Sequence, residues 1–132
     1  MLTLYSPVKG VVEALPAGDG LAIVAAPEPQ QVAAPTRGTV TQSDAAGVTI
    51  TDLQDRVVEL RLEADPATVS PLVAAGDTLK FDQALFDWSG AGALRVLVVS
   101  PGAVDVLPHV QAGQEIAAGA DFFSVGPFSC GA

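Results

Sequence analysis

Glycine and proline divide this sequence into short segments, and this punctuation constrains the fold more than any other feature. The 132 residues include 13 glycines and 10 prolines. Both residue types interrupt regular structure, proline because it lacks a backbone N–H and glycine because of its conformational freedom. The chain must therefore fold from short elements joined by turns, and long helices are excluded over most of its length.

The segments between these breaks have the composition of β-strands. They are rich in valine and other β-branched residues, and apolar positions alternate with polar ones in several of them. Only the stretch 65–76, DPATVSPLVAAG, hints at a helical turn, and Pro71 interrupts it. The sequence predicts an all-β fold, an antiparallel β-sandwich or barrel, rather than βαβ units. The predicted strand segments are GLAIVA (20–25), GTVTQ (38–42), GVTITDL (47–53), RVVELRLE (56–63), ALFDW (84–88) and LRVLVVS (94–100).

Two pairs of segments repeat a pattern within the chain. SPVKGVV (6–12) is similar to APTRGTV (34–40): each has a proline, a basic residue, a glycine and a valine-containing run. VAAGDTLKFDQALF (73–86) is similar to VQAGQEIAAGADFF (110–123), with the same spacing of glycine and apolar residues. A repeated glycine turn with the same apolar register predicts an internal pseudo-duplication, in which two related β-units pack together.

Composition and charge limit the classes of function. Six Lys and Arg residues face 15 Asp and Glu residues, and the formal net charge is -9. Such a chain repels nucleic-acid phosphates and anionic membrane surfaces, but it is compatible with a basic protein partner. No apolar run is long enough to span a membrane, and no signal peptide is recognisable, so a cytoplasmic location is expected. The single cysteine, Cys130, cannot form an intramolecular disulfide.

The length predicts one domain, covering residues 1–126, followed by a C-terminal tail at 127–132. Within this domain, four motifs follow one another: GDGLAI (18–23), APTRGTV (34–40), VAAGDTLKFDQALFDW (73–88) and LRVLVVSPGAVDVLPHVQAGQEIAAGADFFSV (94–125). In this order they resemble the glucose-type IIA domains of the phosphoenolpyruvate-dependent sugar phosphotransferase system. The resemblance covers roughly residues 4–125 and implies an antiparallel β-sandwich with the duplicated hybrid motif.

The resemblance also implies a phosphoryl site, but its two histidines are missing here. Family members accept a phosphoryl group on one histidine, and a second histidine on a neighbouring strand supports the first. Alignment places the accepting position on Arg61 and the supporting position on about Ala46. Arginine stays protonated and alanine has no functional group, so neither can replace the histidines. The resemblance therefore implies a degenerate IIA-like protein, a non-catalytic binding or regulatory protein linked to sugar transport, whose partners include phosphotransferase-system or regulatory proteins.

The stretch RVVELRLEAD (56–65) contains the candidate partner or ligand surface. Residues two apart share a strand face, so Glu59 and Glu63 flank Arg61 on one face, and Asp44 is added from the preceding hairpin. One interpretation is a solvated face with ion pairs worth about 0–1 kcal/mol each. The other is that Arg61 binds an anion or an acidic group of a partner.

No cofactor or metal is predicted. A carboxylate-only metal site would have to use Asp44, Asp52 and Asp55, which lack EF-hand spacing. His109 follows Pro108 in a turn and is more typical of a hydrogen-bonded or exposed residue than of a catalytic base.

Two alternatives to the binding role remain open. The first is a working phosphocarrier of the sugar phosphotransferase system that uses an unrecognised residue, for which His109 is the one imidazole in the chain. The second is a structural or carrier-type hammerhead module, in which Lys80 near a glycine turn would carry a covalent group. Unpaired strand edges also leave a homo-oligomer open.

Overall fold

The computed structural model describes residues 2–14, 20–101 and 106–126. Within these ranges the chain is built of β-strands, with a single 3₁₀ turn at Pro66–Thr68. The predicted all-β class is confirmed. The strands are β1 (Leu2–Tyr5), β2 (Gly10–Ala14), β3 (Gly20–Ala25), β4 (Gln30–Ala33), β5 (Gly38–Asp44), β6 (Gly47–Thr51), β7 (Val57–Glu63), β8 (Val69–Pro71), β9 (Thr78–Leu79), β10 (Ala84–Trp88), β11 (Arg95–Val99), β12 (Val106–Pro108), β13 (Glu115–Ile116) and β14 (Asp121–Val125).

The described strands form three antiparallel sheets. The largest has the order β13-β2-β3-β11-β7-β6-β5-β9, and the two smaller sheets have the orders β1-β14-β12 and β4-β10-β8. Strand pairs such as β6 with β7 and β11 with β3 run antiparallel throughout. Strands that are distant in sequence, such as β11 and β3, are thereby brought side by side, as expected for a β-sandwich.

The stretch that hinted at a helical turn contains one, and it is short. Asp65 caps the 3₁₀ turn by accepting a hydrogen bond from the backbone N–H of Ala67 at 3.0 Å. The chain then enters β8, which ends at Pro71. Because β8 pairs only with β10, Pro71 lies in an edge strand, where its missing N–H costs no ladder hydrogen bond.

The internal duplication is visible in the strand registers. Gly10 of β2 pairs with Ile116 of β13, and Gly38 of β5 pairs with Leu79 of β9. These four residues occupy matching positions in the two pairs of repeated segments. At both edges of the eight-stranded sheet, a glycine of one repeated segment therefore pairs with an apolar residue of the other kind of repeated segment.

Backbone hydrogen bonds repeat at the same positions. The N–H of Gly113 donates to the carbonyl oxygen of Val12 at 2.7 Å, and that of Gly76 donates to Val40 at 2.7 Å. Gly113 and Gly76 have φ angles of 86° and 96°, a left-handed conformation that favours glycine. The glycine turn of segment 110–123 thus bonds to the last valine of segment 6–12. The glycine turn of segment 73–86 bonds in the same way to the last valine of segment 34–40.

Side chains from all three sheets join in one hydrophobic core. Trp88 and Phe86 belong to this core and are 2% and 0% exposed. Among the described residues, no helix has the length and apolar character needed to cross a membrane. The largest fully buried side chains are Trp88, Phe86, Phe122, Phe123, Leu4, Ile23, Ile50, Leu60, Leu85, Leu94, Val8 and Val32.

Candidate functional site

Strand β7 presents its charged side chains on one face. Val58, Leu60 and Leu62 are buried, whereas the intervening side chains point away from the core. The side chain of Arg61 is 59% exposed, and its guanidinium forms an ion pair with the carboxylate of Glu59. Arg61 therefore lies on the outer face of the large sheet with a neutralising partner from its own strand.

Strand β6 brings the region of Ala46 next to Arg61. Gly47 pairs with Arg61 in the β6–β7 register, and the N–H of Leu62 donates to the carbonyl oxygen of Ala46 at 2.8 Å. A Cβ atom on Gly47 would lie 2.2 Å from the carbonyl oxygen of Leu60, so only glycine permits this approach. The two positions that the resemblance assigns to the family histidines are thus neighbours, with Arg61 on β7 and Ala46 in the turn that leads into β6.

A shallow groove of about 270 Å³ lies over this junction. We call it the Arg61 groove. Asp44 belongs to it and accepts a hydrogen bond from the N–H of Ala46 at 2.8 Å, which closes the turn between β5 and β6. The side chains that line it include Gln42, Asp44, Ala46, Thr49, Glu59 and Arg61.

Glu63, the fourth residue of the candidate surface, belongs to a different cluster. Its carboxylate accepts a hydrogen bond from Arg95 Nη1 at 2.9 Å, and Arg95 Nε donates to Glu13 at 2.6 Å. Arg95 lies opposite Glu63 in the β11–β7 register. The structure therefore groups Glu59 and Asp44 with Arg61, but directs Glu63 towards Arg95.

Sequence reasoning missed Arg95 and Glu13. The ion pairs of Arg95 join β11 to β2 and β7, strands that are distant from it in sequence. The hydrogen bond to Glu13 raises the pKa of Arg95, and the charge of Glu63 adds to that increase while burial opposes it. The only available signal was a lone arginine at the start of an otherwise apolar strand, LRVLVVS.

The three aspartates considered for a metal do not form a cluster in the described part of the chain. Asp44 precedes β6, whereas Asp52 and Asp55 follow it. Asp52 is 8% exposed, and its carboxylate accepts the N–H groups of Gln54 and Arg56 at 2.9 and 2.8 Å. This carboxylate organises the loop between β6 and β7.

His109 directly follows β12, beside the three-stranded sheet of β1, β14 and β12 and not on the sheet that holds the Arg61 groove. The Nε2 atom of His109 is 2.6 Å from the hydroxyl oxygen of the buried Ser124. That hydroxyl oxygen is in turn 3.2 Å from the hydroxyl oxygen of Thr3. The ring is exposed and hydrogen-bonded, as the turn position indicated. Cys130 lies outside the described residues.

Lys80, the candidate carrier residue, lies in the turn between β9 and β10 and is exposed. Its backbone N–H donates to the side chain of Gln83 at 3.0 Å. The equivalent position in the second repeated unit is Ala117, so the duplicated turn has no second lysine.

Comparison with known proteins gives a clear likeness in structure but not in sequence. No protein-family model matches the chain, and no curated protein matches its sequence. Among solved structures, the glucose permease IIA from Mycoplasma capricolum superposes with a TM-score of 0.74 and 16% sequence identity, over 92% of this chain and 94% of that chain. The chain has the glucose-type IIA fold.

The fold implied by the ordered sequence motifs is therefore confirmed. A likeness at 16% identity establishes the fold alone. The replacement of both family histidines stays a prediction, which rests on the alignment of RVVELRLEAD and of the preceding strand.

Proposed function

We propose that this IIA-like chain is a binding or regulatory protein that does not accept a phosphoryl group and acts in the cytoplasm in connection with sugar transport. One observation carries the proposal: Arg61 of β7 and Ala46 in the β5–β6 turn, onto which the resemblance maps the two family histidines, lie side by side, and neither carries an imidazole. The likeness in fold to a glucose permease IIA supports the link to sugar transport.

The chemistry of the Arg61 groove supports the loss of phosphoryl transfer. A phosphoryl acceptor needs a free lone pair, which the guanidinium of Arg61 lacks. Its positive charge is already paired with Glu59, and Asp44 adds a second carboxylate to the groove. A guanidinium can hold an anion by exchanging ion-pair partners, but it cannot accept a phosphoryl group covalently.

The same groove supports a role in protein contacts. Arg61 is the one cation among the described residues that line the groove, and its exposed guanidinium can exchange Glu59 for an acidic group of a partner without unfolding the sheet. The surrounding Gln42 and Thr49 offer neutral hydrogen-bonding groups. Such a polar surface fits a reversible contact better than a permanent one.

Binding is tested by titrating the ¹⁵N-labelled chain with the phosphocarrier protein or the sugar-permease domain of a phosphotransferase system. We expect amide shifts at Thr49, Glu59 and Arg61, and Arg61→Ala weakens the interaction. Lys9→Ala, which removes an exposed cation on another part of the surface, is the matched control. If neither protein shifts the groove amides, the link to the phosphotransferase system is wrong.

The alternatives have separate signatures. A working phosphocarrier would incorporate phosphate in a way that His109→Ala abolishes, since His109 is the only histidine of the chain. A carrier module would show a biotinyl or lipoyl adduct on Lys80 in the intact mass of protein from native cells. The binding role predicts neither modification.

A further inference from the structure

A second groove, of about 570 Å³, opens at the opposite end of β6 from the Arg61 groove. Asp52 in its lining follows the end of β6, whereas Ala46 precedes the start of that strand. We call it the Arg37 groove. The side chains used in the argument are Tyr5, Arg37, Leu53, Gln54, Arg56 and Phe81.

The Arg37 groove concentrates positive charge on an acidic protein. It holds Arg37 and Arg56, two of only six Lys and Arg residues in a chain of net charge -9. Arg37 is exposed and forms no ion pair with any residue in the described ranges. An acidic group placed there could form an ion pair with Arg37 without displacing a carboxylate of the described chain.

Apolar and aromatic side chains line the same groove. Leu53 is 83% exposed, more than any other large hydrophobic residue described, and Phe81 is 44% exposed. The rings of Tyr5 and Phe81 meet edge to face, with centroids 4.7 Å apart. Aromatic residues and arginine are the types that contribute most energy at protein interfaces.

The loop that presents Leu53 and Arg56 is held in place by buried polar contacts. Both N–H groups that Asp52 accepts come from this loop, and Arg56 Nε donates to its second carboxylate oxygen at 3.2 Å. The guanidinium of Arg56 also bonds the side chain of Gln54, while its Nη1 has no partner in the described part of the chain. A preformed loop lowers the entropy lost on binding.

We propose that the Arg37 groove binds an acidic peptide segment that carries a large apolar side chain. The acidic groups contact Arg37 and the free edge of Arg56, and the apolar side chain packs against Phe81 and Leu53. A segment of a protein fits better than a small carboxylate, because Leu53 projects from the rim and is covered only by a ligand that extends across it. The inference does not depend on the loss of phosphoryl transfer.

The probe is a fluorescein-labelled synthetic peptide with glutamates on both sides of a leucine–phenylalanine pair. Fluorescence anisotropy measures its affinity for the intact chain, and ¹H–¹⁵N spectra locate it. We expect amide shifts at residues 52–56 and around Arg37 and Phe81. Arg37→Glu should weaken peptide binding by about tenfold or more, and Leu53→Ala should weaken it by a smaller factor. Raised salt concentration should also weaken binding, because it screens the attraction between glutamate and arginine.

Matched controls separate this site from general attraction. Lys9→Glu makes the same charge change at an exposed site elsewhere, and Leu107→Ala removes an exposed leucine of the β1-β14-β12 sheet. Both should bind as the unmodified chain does, and a peptide with glutamine in place of glutamate should bind weakly. If Arg37→Glu fails to fold, Arg37→Gln replaces it.

Several outcomes would overturn the inference: equal weakening by Arg37→Glu and Lys9→Glu, equal affinity for the glutamine peptide, amide shifts confined to another surface, or no binding. None of these measurements involves phosphate. A negative result here therefore leaves the proposed loss of phosphoryl transfer standing, and a positive phosphorylation result leaves the Arg37 groove standing.

Discussion

At the scale of single residues, the charged side chains of β7 form two separate groups rather than one. Alternation along the strand correctly places Glu59, Arg61 and Glu63 on one face. It cannot supply the cross-strand partner of Glu63, because strand register is set by residues far away in sequence. Arg95 is that partner, and its guanidinium links Glu63 of β7 to Glu13 of β2.

The two arginines should differ in their effect on stability. Arg95→Ala removes hydrogen bonds to carboxylates of two strands, and we expect a loss of about 1 kcal/mol in the free energy of unfolding, kept modest by solvent exposure. Arg61→Ala removes one exposed pair and should cost less than about 0.5 kcal/mol. Urea unfolding measures both values, and a larger loss for Arg61→Ala would contradict the assignment.

The contribution of Arg95 to stability should be insensitive to pH between neutral and mildly alkaline conditions. Its pKa is raised in the folded state, so its stabilising contribution is present below the unfolded-state pKa and is lost only as strongly alkaline pH is reached. Urea unfolding of the chain and of Arg95→Ala at neutral and mildly alkaline pH should therefore give the same difference. If the difference in free energy of unfolding between the chain and Arg95→Ala becomes smaller at mildly alkaline pH, a titratable group other than Arg95 controls the effect.

At the scale of elements, the glycine turns were predictable and the edge strands were not. Glycine at matching positions predicted both turns, because a left-handed backbone conformation strongly favours glycine over other residues. Strands β9 and β13 have only two residues each, too few to show a periodic pattern. Their pairing with β5 and β2 is visible only in the structure.

The duplication predicts equal responses at the two turns. Gly76→Ala and Gly113→Ala both place a Cβ in open space on a left-handed residue, so each should cost about 1–2 kcal/mol from backbone strain. Differential scanning calorimetry or urea unfolding of the two variants gives the comparison. Clearly unequal losses would show that the turns are not structurally equivalent.

Gly47→Ala should cost more than either turn variant. There the added Cβ meets the carbonyl oxygen of Leu60 at 2.2 Å, so adjacent strands must separate, at a cost of about 3 kcal/mol or more. The same unfolding series tests this, with Gly113→Ala as the control. A mild effect at Gly47 would mean that β6 and β7 can shift apart freely beside Arg61.

At the scale of the whole molecule, the order of the motifs was sufficient to predict the fold. Each motif alone is weak, but their sequence from residue 18 to 125 matched a fold that the structure confirms at 16% identity to a glucose permease IIA. Three residues of the Arg61 groove, Asp44, Glu59 and Arg61, were named from the sequence, whereas Glu63, named with them, pairs with Arg95. The Arg37 groove was not predicted, because its residues come from β1, the segment before β5, the β6–β7 loop and the β9–β10 turn, whose proximity depends on tertiary packing.

The proposal that this IIA-like chain does not accept a phosphoryl group can be tested directly. The direct measurement is incubation of the purified chain with labelled phosphoenolpyruvate and the two general phosphotransferase proteins, alongside a two-histidine glucose-type IIA domain as positive control. We predict label on the control and none on this chain, because no imidazole lies in the Arg61 groove. Stable incorporation into this chain, lost in His109→Ala, would contradict the claim.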